Sequence, residues 1–549
     1  MIMKNYHFIS AILLLSSLSL ADTTLIKNIK GYTLTDEGNL INFEALKFTN
    51  DRIDAIYPPA SEDLPIVDSV IDGKGRTLIP GLIDAHGHVG SYGLSLLRVD
   101  LVGALSESEA AGRVLEFADS NPEVKWILGR GWNQVLWDEE EFPKAISLDE
   151  VISERPVWLT RIDGHAGWAN SAALELAGID QDTPDPQGGQ IIRDDNGNVT
   201  GVLVDTAMNF VSSKVPNPTI EDEKIALSAA MQSLAEYGLT SVHDAGINSQ
   251  TIKAYKELQT AGPLKIRINA MLSASDPLYQ DRLTEGLYSS EDQTLVINSV
   301  KIVSDGALGS RGAALLDGYA DDLGNKGLLR FNDERLEYLM RVAMNANFQV
   351  NTHAIGDRAN LKVLDNYERL IRETDSRSMR HRIEHAQILR YEDIERFNEL
   401  GVIPSMQSIH ATSDKNMAQA RLGEIRIQGA YAWRKLIDTG ARIANGSDFP
   451  VESPNPFWGL HAAVTRQDRN GEPRGGWLPE ERMTLIEAFA SYTIDAAYAG
   501  HQEDFIGTLE SGKKADFIFL DRDIFNVPEN EIWETQVTET WVNGIRVTD

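Results

Sequence analysis

The 549-residue chain contains no cysteine. Disulfide staples, thiolate zinc sites, cysteine nucleophiles and lipid attachment at a cysteine are therefore excluded, and any metal must be held by histidine, carboxylate or modified lysine. Positive charge is scarce. Lys and Arg number 51 against 82 Asp and Glu, which gives a net charge of −31 and a pI near 4.7. Such a surface repels phosphate backbones and argues against a nucleic-acid partner. Two motifs are missing as well. No Gly-x-Ser-x-Gly nucleophile elbow occurs, and Gly73-Lys74-Gly75 lacks the spacing and the hydroxyl of a phosphate loop.

Long apolar runs are confined to the N-terminus. Lys4 precedes an apolar stretch from Ile9 to Leu20, and Ser19-Leu20-Ala21 offers small residues to a signal peptidase. The run falls short of the roughly 20 residues that a span requires. Residues 1–21 are therefore predicted as a cleaved export signal, and the protein as periplasmic or secreted with no membrane span after signal removal.

A hydrophobic content of 42% and a charged content of 24% suit a soluble globular chain, long enough for a large core and an accessory domain. Residues 22–76 and 501–549 read as short strands, with Asn543-Gly544 as a hairpin turn, and predict one small β-sandwich built from both ends. Residues 77–500 alternate strands and helices, which implies a parallel sheet. Both a doubly wound sheet and a TIM barrel satisfy that alternation; polar residues recurring at many strand ends favour the barrel. The excess length before His243 predicts an inserted subdomain over about 103–207. It holds Trp126, Trp132, Trp137, Trp158 and Trp168, either as its core or, for Trp132, as a wall of a substrate pocket.

The most informative segment is Asp84-Ala85-His86-Gly87-His88, at the end of an apolar strand. Alternate side chains on a strand share a face, so His86 and His88 aim at one point, as half a metal site would. Lys301 lies inside the apolar run Val300 to Val303, where a bare charge is costly. His353, His385 and Asp448 close later predicted strands. Each alone reads as a core histidine, a salt-bridged lysine or a turn aspartate; the order His-x-His, Lys, His, His, Asp on successive βα units carries the weight.

With these motifs the chain resembles the metal-dependent amidohydrolase superfamily, in the branch that contains N-substituted formamide deformylases. The resemblance runs through Ile71 to Gly75, Ile79 to His88, Asp163 to Ser171, Ser304 to Arg311, Thr352 to Asp357, Gly446-Ser447-Asp448 and Gly507 to Asp516. It implies a distorted (β/α)₈ barrel with a small β-sandwich, and a zinc-type centre of one or two divalent ions. His86, His88 and Asp448 would hold the first ion and His353 and His385 the second, with Lys301 bridging them as a carbamate. It further implies hydrolysis of a non-peptide amide-type C–N bond, in an N-formyl or N-acyl amine or a cyclic amide, by a metal-activated hydroxide. Asp448 would shuttle the proton, His165 would orient or polarise the substrate, and Arg311 would clamp a substrate carboxylate or a rim acid. The branch also suggests a small-molecule substrate and a homodimer. Two rival readings share the scaffold: esterase activity at the same site, and a non-catalytic binding or regulatory protein.

Overall fold

The computed structural model describes residues 22–138, 141–162 and 164–548; the predicted export signal, residues 1–21, lies outside the described residues. Eight parallel strands form the central sheet: β1 (Leu82–Gly87), β2 (Leu239–Ile247), β3 (Arg267–Ser273), β4 (Leu295–Val303), β5 (Gln349–Ala354), β6 (Arg382–His385), β7 (Ile403–Met406) and β8 (Ala444–Asn445). Each pairs with the next in chain order, and helices fill the connections, as in a (β/α)₈ barrel. The final seam is closed by single bonds. Asp448 N donates to His86 O at 2.7 Å, and His88 N donates to Phe449 O at 2.8 Å.

The alternation along β4 and β5 sets the character of the barrel. Val300, Ile302 and Val350 are buried in the large apolar core shared with the surrounding helices. The alternate residues Lys301 and Asn351 are buried as well, on the opposite face of the sheet. Together with His86, Arg382 and Glu384 they make the interior polar. Barrel interiors are usually packed with branched apolar side chains, so this polarity marks the interior as built for chemistry.

Both chain ends join one further sheet. Its strands run in the order Ile545–Arg546, Val537–Val542, Phe517–Leu520, Thr77–Pro80, Thr23–Leu34, Leu40–Thr49, Arg52–Tyr57, with Ser69–Asp72 beside Thr23–Leu34. Ile26, Phe43, Phe48, Leu78, Phe517 and Phe519 share its core. The strand Thr23–Leu34 is longer than its sequence suggests. A register shift between Lys27 and Gly31, with Asn28 at φ 58°, breaks the alternation that would have revealed it. Asn543 and Gly544 both adopt positive φ, as a tight hairpin requires.

A six-stranded sheet from Val99 to Asp205 forms the inserted subdomain. Trp132, Trp137 and Trp168 pack together in its core, with ring centroids 6.3–6.5 Å apart. Among the described residues no helix is long and apolar enough to cross a membrane.

One buried ion pair ties the barrel to the terminal sheet. Arg267 on β3 is fully buried and donates through Nε (2.6 Å) and Nη2 (3.0 Å) to Asp516. Removing one partner of such a pair strands the other charge. Arg267→Met is expected to cost about 3–5 kcal/mol, read from the urea midpoint, and Arg267→Met/Asp516→Leu to recover part of it. An unchanged midpoint in the single variant would show that the pair does not anchor the two units.

Candidate metal centre

Six side chains from the C-terminal ends of five barrel strands converge on one point. His86 comes from β1 and His88 from the residue just beyond it; Lys301, His353 and His385 come from β4, β5 and β6. Asp448 follows β8. Donor atoms of His86, His88 and Asp448 all lie within 4.8 Å of one another. Asp448 Oδ1 is 3.1 Å from His88 Nε2 and 3.6 Å from His86 Nε2. The His385 ring centroid is 4.8 Å from that of His86 and 4.6 Å from that of His353. Lys301 Nζ is 2.9 Å from His86 Nε2.

Local backbone makes this convergence possible. His385 and Asp448 adopt positive φ of 74° and 61°, a strained choice for residues with a Cβ. The turn at His385 lets it and its neighbour Glu384 both serve the interior, which a regular strand forbids. At the β8–β1 seam a Cβ on Gly446 would come within 2.5 Å of Asp84 Oδ1 and 2.6 Å of His86 N. Only glycine lets the two strands close. Asp84 completes the seam by accepting from Ser447 Oγ at 2.7 Å and His86 N at 3.0 Å, and burial pushes its carboxyl up to about 7.

The ring orientations suit a cation. His86 Nδ1–H donates to Glu384 Oε2 in a short contact, which leaves Nε2 with a free lone pair toward Lys301 and Asp448. His385 Nδ1–H donates to Gln407 Oε1 at 2.7 Å, which frees its Nε2 in the same way. Burial, then the Lys301 charge, lowers His86 to about 4; burial, then His353, lowers His385 well below the usual histidine range. Burial also brings Lys301 down to about 8. Burial alone would raise Asp448, but the hydrogen bond from His88 and the neighbouring imidazoles hold it well below the usual carboxylate range. Imidazoles beside a carboxylate are the donor set of a divalent transition-metal site. His353 Nε2 is buried and makes no hydrogen bond among the described residues, although Asp305 Oδ1 lies 3.3 Å from it. The residues present therefore fit a metal.

The group opens into a cavity of about 410 Å³. His88, Lys301, His353, His385 and Asp448 line one side, and Ala245, Val303, Leu308, Ile355 and Val451 supply apolar wall. A larger groove of about 660 Å³, around Tyr391, Glu395 and Lys435, contains none of the histidines.

Three residues expected at the substrate lie elsewhere. Trp132 is fully buried in the core of the inserted subdomain and donates through Nε1 to Leu159 O at 2.8 Å, because a ring this apolar packs with Trp137 and Trp168. His165 lies on the subdomain surface, its side chain 76% exposed, with Nδ1 2.8 Å from Asp205 Oδ1. Arg311 is committed to Asp321, through Nε at 3.1 Å and Nη2 at 2.9 Å. None of the three lines the cavity.

Other residues take part without having been anticipated. Glu384 and Arg382 sit beneath His86, both buried. Arg382 Nη2 donates to Glu384 Oε2 at 3.0 Å and to Ala85 O at 2.7 Å, and Nη1 faces His243 Nδ1 at 2.9 Å. Burial raises the Glu384 carboxyl, but Arg382 first and then His86 outweigh it and keep it ionised. Asp305 accepts from the backbone of Ala314, Ile355 and Gly356 and shapes the loop under His353. His410 also lines the cavity. The signal for Glu384 and Arg382 was present, since two charged residues in the short strand Arg382-Ile383-Glu384-His385 demand partners.

Comparison with known proteins gives the family and the fold. The chain is 32% identical over 529 residues to Protein LONG AFTER FAR-RED 3 of Arabidopsis thaliana, covering 94% of this chain and 90% of the relative. It is 28% identical to the N-substituted formamide deformylase of Arthrobacter pascens, over 87% of this chain and 89% of that one. Among solved structures, a metal-dependent hydrolase from Pyrococcus horikoshii superposes with a TM-score of 0.76 at 28% identity, over 92% of this chain and 99% of its own. The model of the amidohydrolase family matches residues 69–548, and the chain belongs to that family.

Proposed function

We propose that this protein is a metal-dependent hydrolase of a small amide, cleaving the C–N bond of an N-formyl or N-acyl amine or of a cyclic amide. The observation that carries the reading is the meeting of His86, His88, Lys301, His353, His385 and Asp448 beside one cavity at the barrel mouth. Family membership and the hydrolase neighbour support hydrolysis in general; similarity to a formamide deformylase supports the bond. The aliphatic wall suits an apolar N-substituent. No arginine is among the described residues lining the cavity, and its one lysine is Lys301, so nothing there favours a substrate carboxylate.

His86, His88 and Asp448 would hold one divalent ion, zinc by donor chemistry, and His353 and His385 a second. A bound ion supplies Lewis acidity and lowers the pKa of a water. Asp448 Oδ2 would take the proton of the attacking water and return it to the departing amine nitrogen. Lys301 would bridge the two positions as a carbamate. An ammonium at Nζ donates into the lone pair of His86 Nε2 that a metal needs; adding CO₂ to the amine with loss of a proton converts that competitor into an oxygen ligand. Export with cleavage after Ala21 and pairing into a homodimer belong to the same proposal. N-terminal sequencing of the mature protein tests the first, and an N-terminus other than Asp22 counts against it.

Zinc-loaded protein is expected to hydrolyse one or more members of a panel of N-formyl and N-acyl amines, cyclic amides and esters. Chelation should abolish turnover and zinc restore it. Activity retained in a His353→Ala variant that has lost metal would refute the assignment, as would a fully loaded protein inert to the whole panel. Glu384→Gln is expected to weaken zinc affinity about 10–100-fold by freeing the His86 ring, measured by competitive titration; unchanged affinity would remove Glu384 from the centre. Bicarbonate during loading should raise bound zinc from one toward two per chain, and Lys301→Ala should stay at one. A bicarbonate-insensitive ratio counts against the bridge.

A further inference from the structure

His410 lies outside the expected ligand series, and its position suggests a different task. It sits in the first turn of the helix Ser408–Arg426, directly after β7, and lines the cavity with the metal-binding candidates. Its Nε2 is 4.0 Å from Asp448 Oδ2, too far for a hydrogen bond. That nitrogen is buried and has no hydrogen-bond partner among the described residues. A polar atom left in this state is costly, and in a ligand cavity it marks a place for a ligand group.

Two other histidine nitrogens share the condition, and neither competes for the role. His353 Nε2 belongs to the ligand series. His243 Nε2 lies at the barrel floor near Gly500, away from the cavity lining. The His410 ring is also well placed. It lies nearly parallel to His385, at 18° and 6.1 Å between centroids, and His385 is fixed by Gln407, three residues before His410. One turn of chain therefore orients a candidate ligand and presents a second imidazole to the space above it.

Resting on the hydrolase reading above, we propose that His410 is a catalytic residue whose Nε2–H donates to the oxygen of the scissile carbonyl. An amide presents an oxygen and a nitrogen on one carbon. His410 Nε2 would meet the oxygen and Asp448 Oδ2 the nitrogen. As the carbon becomes tetrahedral the oxygen gains negative charge, and a preoriented donor stabilises that state more than the ground state. The His410–oxygen hydrogen bond shortens; no proton is transferred through it. This gives His410 the polarising role expected of His165, which points from the subdomain surface.

The test uses full-length zinc-loaded protein, with His410→Ala and His410→Gln compared by turnover and by calorimetric binding of a phosphinate analogue of the tetrahedral state. His410→Ala is expected to lower kcat about 10²–10³-fold, with KM nearly unchanged, bound zinc unchanged and the thermal midpoint unchanged. It should weaken phosphinate binding to a similar degree. His410→Gln, which keeps an N–H donor at comparable reach, should recover part of both losses. Loss of zinc in His410→Ala would make the residue a ligand and overturn the proposal, as would phosphinate binding equal to wild type. Wild-type protein inert to the whole amide panel would instead sink the hydrolase reading, and the binding arm would still judge His410.

Discussion

The buried chain Arg382–Glu384–His86 is the constraint on which the site depends. Three potentially charged groups are excluded from water in the barrel interior, and they persist because each satisfies the next. An isolated carboxylate there would be untenable. Between a guanidinium and an imidazole it becomes a fixed acceptor that sets the His86 tautomer, and with it the direction of the lone pair facing Lys301 and Asp448. The chemistry at the mouth is thus decided one layer below it. The arrangement follows from sequence: Arg382 and Glu384 alternate inward along β6, and the left-handed turn at His385 adds a third functional side chain from four residues.

The seam between β8 and β1 is the complementary device. The two strands are not joined by a regular ladder, and glycine at 446 allows the approach that a Cβ would block. Asp84 then knits the seam from inside, and Asp448 is delivered to His86 and His88 by the same contact that closes the barrel. The positive φ of Asp448 thus falls at the seam, where the chain turns its carboxylate toward the two histidines.

Much of this was legible in the sequence, for definite reasons. The strands carrying His86 and Lys301 are apolar runs with polar exceptions, those carrying His353 and His385 are short and mostly polar, and polar residues in buried strands are informative. Substrate contacts were less accessible. Trp132, His165 and Arg311 were attractive by residue type, but each finds its partner within its own unit: the tryptophan in a subdomain core, the histidine with Asp205 and the arginine with Asp321. His410 read as a supporting or structural histidine, as a lone histidine does until the fold brings it over Asp448. The length of the strand Thr23–Leu34 was hidden by its bulge.

The proposed chemistry stands on these side chains gripping a cation. Anomalous scattering at the zinc edge from crystals of the zinc-loaded protein tests it most directly. A peak is expected at about 2.0–2.2 Å from a nitrogen of His86, a nitrogen of His88 and an oxygen of Asp448. A map with no peak at that cluster, or with zinc bound instead at the His165–Asp205 pair on the subdomain surface, would contradict it.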